Sequence, residues 1–251
     1  MLFRQLFEPI SSTYSYLLAC PETGKCAIID PVIDTAERDL EVVNSLGLKL
    51  TYTLDTHIHA DHLTGALKLK HLADSHICGP AMDQLPCTDI GVREGEIFRI
   101  GNIELYPLFT PGHTDTHHCY LLNNGTQSML FSGDALLIDA CGRTDFQSGD
   151  AATLYHSIHK KLFTLPAETL VYPAHDYEGR FVSSIAQEKA RNPRLRDNKS
   201  LEAFVAIMNG LDLPFPKKME FAVPGNRLCG QCPPNVPKEF KGPCDFIDQQ
   251  G

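Results

Sequence analysis

No apolar run in this chain approaches the roughly 20 residues that a helix needs to cross a bilayer. No long block of like charge is present either. The formal net charge is −9, with 22 Lys and Arg against 31 Asp and Glu. That balance argues against nucleic acid, whose binding requires a basic patch. It argues equally against docking on an anionic membrane surface. The first residues, Met1-Leu2-Phe3-Arg4-Gln5-Leu6-Phe7, lack the charged-then-apolar layout of a secretory signal. There is no internal repeat at solenoid spacing and no low-complexity tract.

Cysteine is not scarce. There are nine, at positions 20, 26, 78, 87, 119, 141, 229, 232 and 244. They are too thinly spread for a disulfide scaffold, so free buried thiols in a reducing compartment are expected. The expected location is the cytoplasm, or the mitochondrial matrix for a processed eukaryotic form. The Cys229-Gly230-Gln231-Cys232 pair, with Cys244 beyond it, is a weak redox or zinc motif. Uninvolved surface thiols or an adventitious metal site are the expectation there.

What the chain does have is alternating structure. Its 251 residues are 43% hydrophobic, normal for a globular protein. Strands are predicted at 15–19, 26–29, 50–54, 96–100, 103–109, 118–123, 128–132 and 170–172. Helices are predicted at 35–46, with Asp34 as N-cap, and at 62–73, 151–163 and 184–211. The tail from 214, rich in Pro, Gly and Lys, reads as irregular. The fold class is therefore α/β, with polar loops following strands at one edge of a sheet. One domain is expected over 1–251, with a helical and irregular extension from about 184.

The strongest signal is Thr56-His57-Ile58-His59-Ala60-Asp61-His62, which follows a strand and precedes a helix. Burying so many imidazoles and carboxylates without a metal is costly. Imidazole with carboxylate suits zinc, iron or manganese. Three further loops each carry one ligand type. They are Thr110-Pro111-Gly112-His113, Phe131-Ser132-Gly133-Asp134 and Tyr172-Pro173-Ala174-His175. His71, His76, His117, His118, His156 and His159 are expected to be structural. Spacing alone leaves open whether one metal is bound or two.

This order of His57, His59, Asp61, His62, His113, Asp134 and His175 resembles the metallo-β-lactamase superfamily. The resemblance implies an αββα sandwich, an α+β arrangement with the metal at one edge of its two sheets. Further stretches narrow it: Arg4–Pro9, Gly133–Ile138, Gly142–Gln147, Tyr172–Tyr177, Asn192–Leu195 and Phe221–Pro224. Together they resemble the persulfide dioxygenase family. That resemblance implies one Fe(II) per chain, held by His57, His113 and Asp134, a facial triad with open positions. His59, Asp61, His62 and His175 would then orient the ligands rather than hold a second metal.

The implied substrates are glutathione persulfide and dioxygen, and the implied assembly is a homodimer. Glutathione carries two carboxylates, which an arginine fork matches. Arg194, Tyr177 and Arg143 are the substrate-contact candidates carried over by resemblance, with a buried ion pair the competing role for Arg143 and Asp176. Ser132, Thr144 and Asn226 are weaker candidates, and Cys141 is expected to be a small buried residue. The alternative reading is a dinuclear hydrolase resembling hydroxyacylglutathione hydrolases. Those enzymes carry a long helical C-terminal domain, which the short stretch after His175 does not match.

Overall fold

The structure, a computed structural model, describes residues 1–234, 236 and 237; Cys244 lies outside the described residues. The chain divides into two compact units. One comprises 1–91, 100–103 and the described residues from 214 onward, the other 92–99 and 104–213.

The first unit holds a six-stranded mixed sheet in the order β1 (Leu2–Glu8), β2 (Thr13–Ala19), β3 (Lys25–Ile29), β4 (Lys49–Leu54), β5 (His76–Pro80) and β6 (Ile90–Val92). β1, β2 and β3 pair antiparallel, whereas β3, β4 and β5 run parallel. Parallel neighbours need crossovers, and the helices α1 (Ala36–Ser45) and α2 (Ala66–Ala73) supply them. Alternate residues Leu17, Ala19, Cys26, Ile28 and Leu50 form one face of the sheet. Ala36 and Val43 of α1 and Leu69 of α2 pack on that face in one apolar cluster.

The second unit holds the other six-stranded sheet. Its order is β12 (Ser183–Ser184), β11 (Leu170–Pro173), β10 (Ser128–Gly133), β9 (His118–Asn123), β8 (Ile103–Phe109) and β7 (Phe98–Ile100). β10 and β11 run parallel, whereas β8, β9 and β10 pair antiparallel, as do β11 and β12. Cys119, Leu130 and Val171 meet helices α3 (Ala151–Lys160), α4 (Ile185–Arg191) and α5 (Leu201–Asn209) through Leu154, Ile158, Ile185, Phe204 and Met208. Asp150, Ser184 and Ser200 cap these three helices by accepting from backbone amides three residues on.

Several expectations need correction. Asp34 does not cap α1; the N-cap is Thr35, after a short turn of 3-10 helix, and the Asp34 carboxylate faces Lys218. α2 begins at Ala66 rather than near 62, because Thr64 bridges to Val32 and Gly65 donates to the Pro31 carbonyl. The 184–211 stretch breaks into two helices at Asn192-Pro193, since proline disfavours helix in the residue before it. Strands β1, β5, β6 and the two-residue β12 are not among the expected strands. The tail is not wholly irregular: α6 spans Met219–Asn226 with Pro224 inside it. Cys229 and Cys232 are not free surface thiols: Cys229 is buried and disulfide-bonded to Cys87, and Cys232 is also disulfide-bonded. The free cysteines among the described residues, 20, 26, 78, 119 and 141, are all buried as expected.

At the end of β1, buried Glu8 accepts the backbone N–H groups of Ile10 and Ser11, each at 2.7 Å. Burial raises its pKa, but these bonds and the Ser11 hydroxyl outweigh it and hold the carboxyl below its usual 4.5. Glu8→Gln is expected to cost about 1–3 kcal/mol at neutral pH. Because the folded pKa is the lower one, this contribution is complete above the unfolded value and disappears as pH falls through the folded value. Urea melts of the two proteins should therefore converge in acid. A stability gap that does not change with pH would contradict the assignment.

Candidate metal centre

In the first unit β3, β4 and β5 are parallel, so their C-terminal ends share one edge. β3 delivers Asp30 there and β4 delivers the loop from Asp55 to His62. Asp30 is 1% exposed and adopts φ +47, a left-handed turn that aspartate tolerates. Its carboxylate accepts the Thr56 N–H at 2.7 Å and the Thr56 hydroxyl at 3.0 Å. A carboxylate only accepts, so the hydroxyl hydrogen goes to Asp30. The Thr56 oxygen, 2.9 Å from His57 Nδ1, then accepts the Nδ1–H. His57 is left with a lone pair on Nε2, the atom that a metal would take.

His59 Nε2 donates to Asp30 at 3.1 Å. Its buried Nδ1 has no hydrogen-bond partner among the described residues. Burial works against charge on His59, but Asp30, then Asp55 and Asp61, prevail and lift its pKa to about 9. Burial likewise lifts Asp55 to about 7, with His59 opposing. His62 Nδ1 lies 2.9 Å from an Asp61 carboxylate oxygen. The ring centroids of His57 and His59 are 4.2 Å apart and those of His59 and His62 4.3 Å. Three imidazoles and three carboxylates thus gather within one loop and the end of β3. His59, Asp61 and His62 offer ligand atoms within 4.8 Å of one another.

In the second unit the C-terminal ends of β8, β10 and β11 share an edge, given their mutual pairing. They lead to His113, Asp134 and His175, all buried. His113 Nδ1 donates to the Arg143 carbonyl at 2.8 Å, so its Nε2 lone pair is also available. That Nε2 lies 3.5 Å from Asp134 Oδ2, and His175 Nε2 lies 3.7 Å from Asp134 Oδ1. Asp134 Oδ1 is buried and makes no hydrogen bond among the described residues. Two ligands about 2.1 Å from one ion, at tetrahedral or octahedral angles, stand roughly 3–3.5 Å apart. These spacings and the orphaned carboxylate oxygen fit a bound ion, and the donor set suits iron, zinc or manganese.

The Asp134 backbone is itself held. Its N–H donates to His117 Nε2 at 3.1 Å, which puts the other ring hydrogen on Nδ1, 2.9 Å from the Thr110 hydroxyl. His117 is thus structural, as expected, but its structure is that of the site. Sequence reasoning missed Asp30 and Thr56 in the first unit and His117 in the second as groups that orient the candidate ligands. Asp30 could have been found: an aspartate ending a buried apolar strand needs partners.

Of the proposed substrate contacts, Tyr177 is 75% exposed and stacks on His175 with centroids 6.0 Å apart. One amino group of Arg194 donates to the Cys141 carbonyl at 3.1 Å. Arg143 takes the ion-pair role weighed against substrate contact. Its guanidinium is committed to Asp145 at 2.7 and 2.6 Å and lies over the Phe146 ring, while its carbonyl holds His113. It acts on the metal centre through the main chain. Asp176 pairs with Arg180 at 2.7 Å, the structural role anticipated for it. Ser132 donates to the Leu136 carbonyl, and Cys141 is buried in the core of its unit.

Residues 9–175 match the metallo-beta-lactamase superfamily. The mouse protein named persulfide dioxygenase ETHE1, mitochondrial, is 48% identical over 238 residues, which is 94% of this chain and 91% of that one. The crystal structure of ETHE1 from Myxococcus xanthus superimposes with a TM-score of 0.88 at 48% identity. It covers 92% of this chain and all of that one. The chain belongs to the metallo-beta-lactamase superfamily, in its persulfide dioxygenase family. A hydroxyacylglutathione hydrolase from Rhodospirillum rubrum is more distant, 39% identical over 74% of this chain and 71% of its own. The two mixed sheets with their helices are the fold expected of the family.

Gly142 shows how tightly the centre is built. Its N–H donates to the Asp134 carbonyl at 2.8 Å. A Cβ there would stand 2.2 Å from that oxygen and 2.8 Å from His113 Nδ1. Gly142→Ala must push His113 or Asp134 aside. It is expected to weaken metal binding roughly ten- to hundredfold, read as metal retained after dialysis against a chelator. Unchanged retention would show that the two residues do not serve a metal.

Proposed function

We propose that this protein is an iron-dependent persulfide dioxygenase that converts glutathione persulfide, dioxygen and water to sulfite and glutathione. The observation that carries this reading is its identity to named persulfide dioxygenases over nearly the whole chain, with every ligand position of the motif filled. His57, His113 and Asp134 are the proposed iron ligands, one iron per chain. Bound ferrous iron supplies the redox chemistry that joins dioxygen to the terminal sulfur, with open positions left by a two-histidine, one-carboxylate set.

The chain's own residues prepare that chemistry. The Thr56 and Arg143 oxygens fix the tautomers of His57 and His113. His117 fixes the backbone of Asp134. With both rings neutral and one carboxylate, the ligands carry a single negative charge, which favours the ferrous state while leaving positions for both reactants. Holding persulfide and dioxygen side by side replaces an unfavourable multi-body encounter. Tyr177 beside His175 and the Arg194 fork are the proposed contacts for the glutathione moiety. Four electrons pass from the terminal sulfur to dioxygen, the sulfur leaves as sulfite with an oxygen from water, and the glutathione thiol is regenerated.

No helix of the described residues is long and apolar enough to cross a membrane. A homodimer in the cytoplasm, or in the matrix for a processed eukaryotic form, is the proposed setting. The five free buried cysteines among the described residues support a reducing compartment, although the Cys87–Cys229 bond and the disulfide-bonded Cys232 do not.

The test is oxygen consumption by anaerobically iron-loaded protein given glutathione persulfide, with sulfite assayed alongside. Oxygen uptake matched by sulfite is expected. His57→Ala, His113→Ala and Asp134→Ala should each lose iron and activity together. His59, Asp61, His62 and His175 would also complete a dinuclear hydrolytic site. Thioester hydrolysis by zinc-loaded protein, without oxygen uptake by the iron form, would therefore overturn the proposal in favour of the hydrolase.

A further inference from the structure

The loop from His57 to Thr64 is neither helix nor strand, so its buried backbone groups need partners from elsewhere. One side chain supplies three of them. Asn226, the last residue of α6, is 3% exposed. Its Nδ2 donates to the carbonyls of His59 and His62, both at 2.8 Å, and its Oδ1 accepts the Thr64 N–H at 2.8 Å. The amide matches this triplet with its two donors and one acceptor.

The segment carrying Asn226 is itself pinned. The Cys229 carbonyl accepts the Leu67 N–H at 3.1 Å, and its side chain is bonded to Cys87. Gly230, at φ +92, lies so close that a Cβ would stand 2.1 Å from the Thr64 carbonyl oxygen. A Cβ on Gly225 would stand 2.5 Å from the Leu63 side chain. The amide therefore meets the loop from a rigid base.

We propose that Asn226 is a positioning residue of the metal centre, fixing the turn that aims the imidazoles of His57, His59 and His62. It touches no reacting atom and acts through the loop backbone. The proposal rests on the reading of His57 as an iron ligand. Asn226→Asp is nearly isosteric, but it replaces the two donors with a carboxyl oxygen facing two carbonyls. Val43→Ala, in the α1 cluster away from the loop, is a control for general loss of stability.

The experiment measures ferrous iron affinity by anaerobic competition with a chromophoric chelator, and the visible spectrum of the Co(II)-loaded protein. Outer partners of metal ligands typically change affinity by about 10- to 100-fold. Asn226→Asp is expected to weaken iron binding in that range and to alter the cobalt spectrum. Val43→Ala should melt earlier yet keep both. If Asn226→Asp does not fold, Asn226→Ser is held to the same criteria. If neither folds, the role is one of folding and the proposal falls. A folded variant with affinity within about twofold of wild type and an unchanged spectrum overturns it. So does an equal loss of affinity in Val43→Ala. Wild-type protein that binds neither ion would instead overturn the iron reading beneath it.

Discussion

The buried carboxylate of Asp30 is the interaction on which the arrangement of the candidate ligands in the first unit depends. It sits at the end of β3 and gathers the Thr56 amide, the Thr56 hydroxyl and the His59 ring. An isolated buried charge would be prohibitive, and an anion with three donors is not. The arrangement also propagates. Because Thr56 gives its hydrogen to Asp30, it can only accept from His57, and so the His57 tautomer is set two groups away from the charge. The second unit uses neutral dipoles instead. The Arg143 carbonyl holds His113, and His117 holds the Asp134 backbone.

Both units obey the same topological logic. In the first sheet the candidate residues follow the C-terminal ends of the parallel neighbours β3 and β4, and in the second they follow β8, β10 and β11, whose C-terminal ends share one edge. Rigid strands set where each loop begins, and loops provide the irregular backbone that turns several side chains toward one point. The α2 helix starts late for this reason. Residues 62–65, helical by pattern, are used to close the loop against Val32 and Pro31.

This division explains what could be read from the sequence. The His-rich motif, the Pro-Gly-His turn, the Ser-Gly-Asp end of β10 and the Pro-Ala-His end of β11 are local patterns, and they were legible. So were β8 and β9, whose boundaries match expectation, and the capped or periodic helices α1 and α3. The polar groups that orient the ligands were not. Asn226 meets the motif across 162 to 167 positions, and Cys87 meets Cys229 across 142. No local pattern encodes such pairings. His117 reads as structural in the sequence because a lone histidine ordinarily is, and nothing near it in sequence names Asp134 as its partner. β5, with His, Cys, Gly and Pro in five residues, lacks the alternation that marks a strand.

The central claim is that this motif holds one iron rather than a pair of metals, although it contains residues enough for two. Metal analysis of protein reconstituted anaerobically with excess ferrous iron, then freed of loosely bound ion, tests that claim most directly. The account predicts one iron per chain, lost in Asp134→Ala and retained in His62→Ala. Two metals per chain, with one of them lost in His62→Ala, would contradict it.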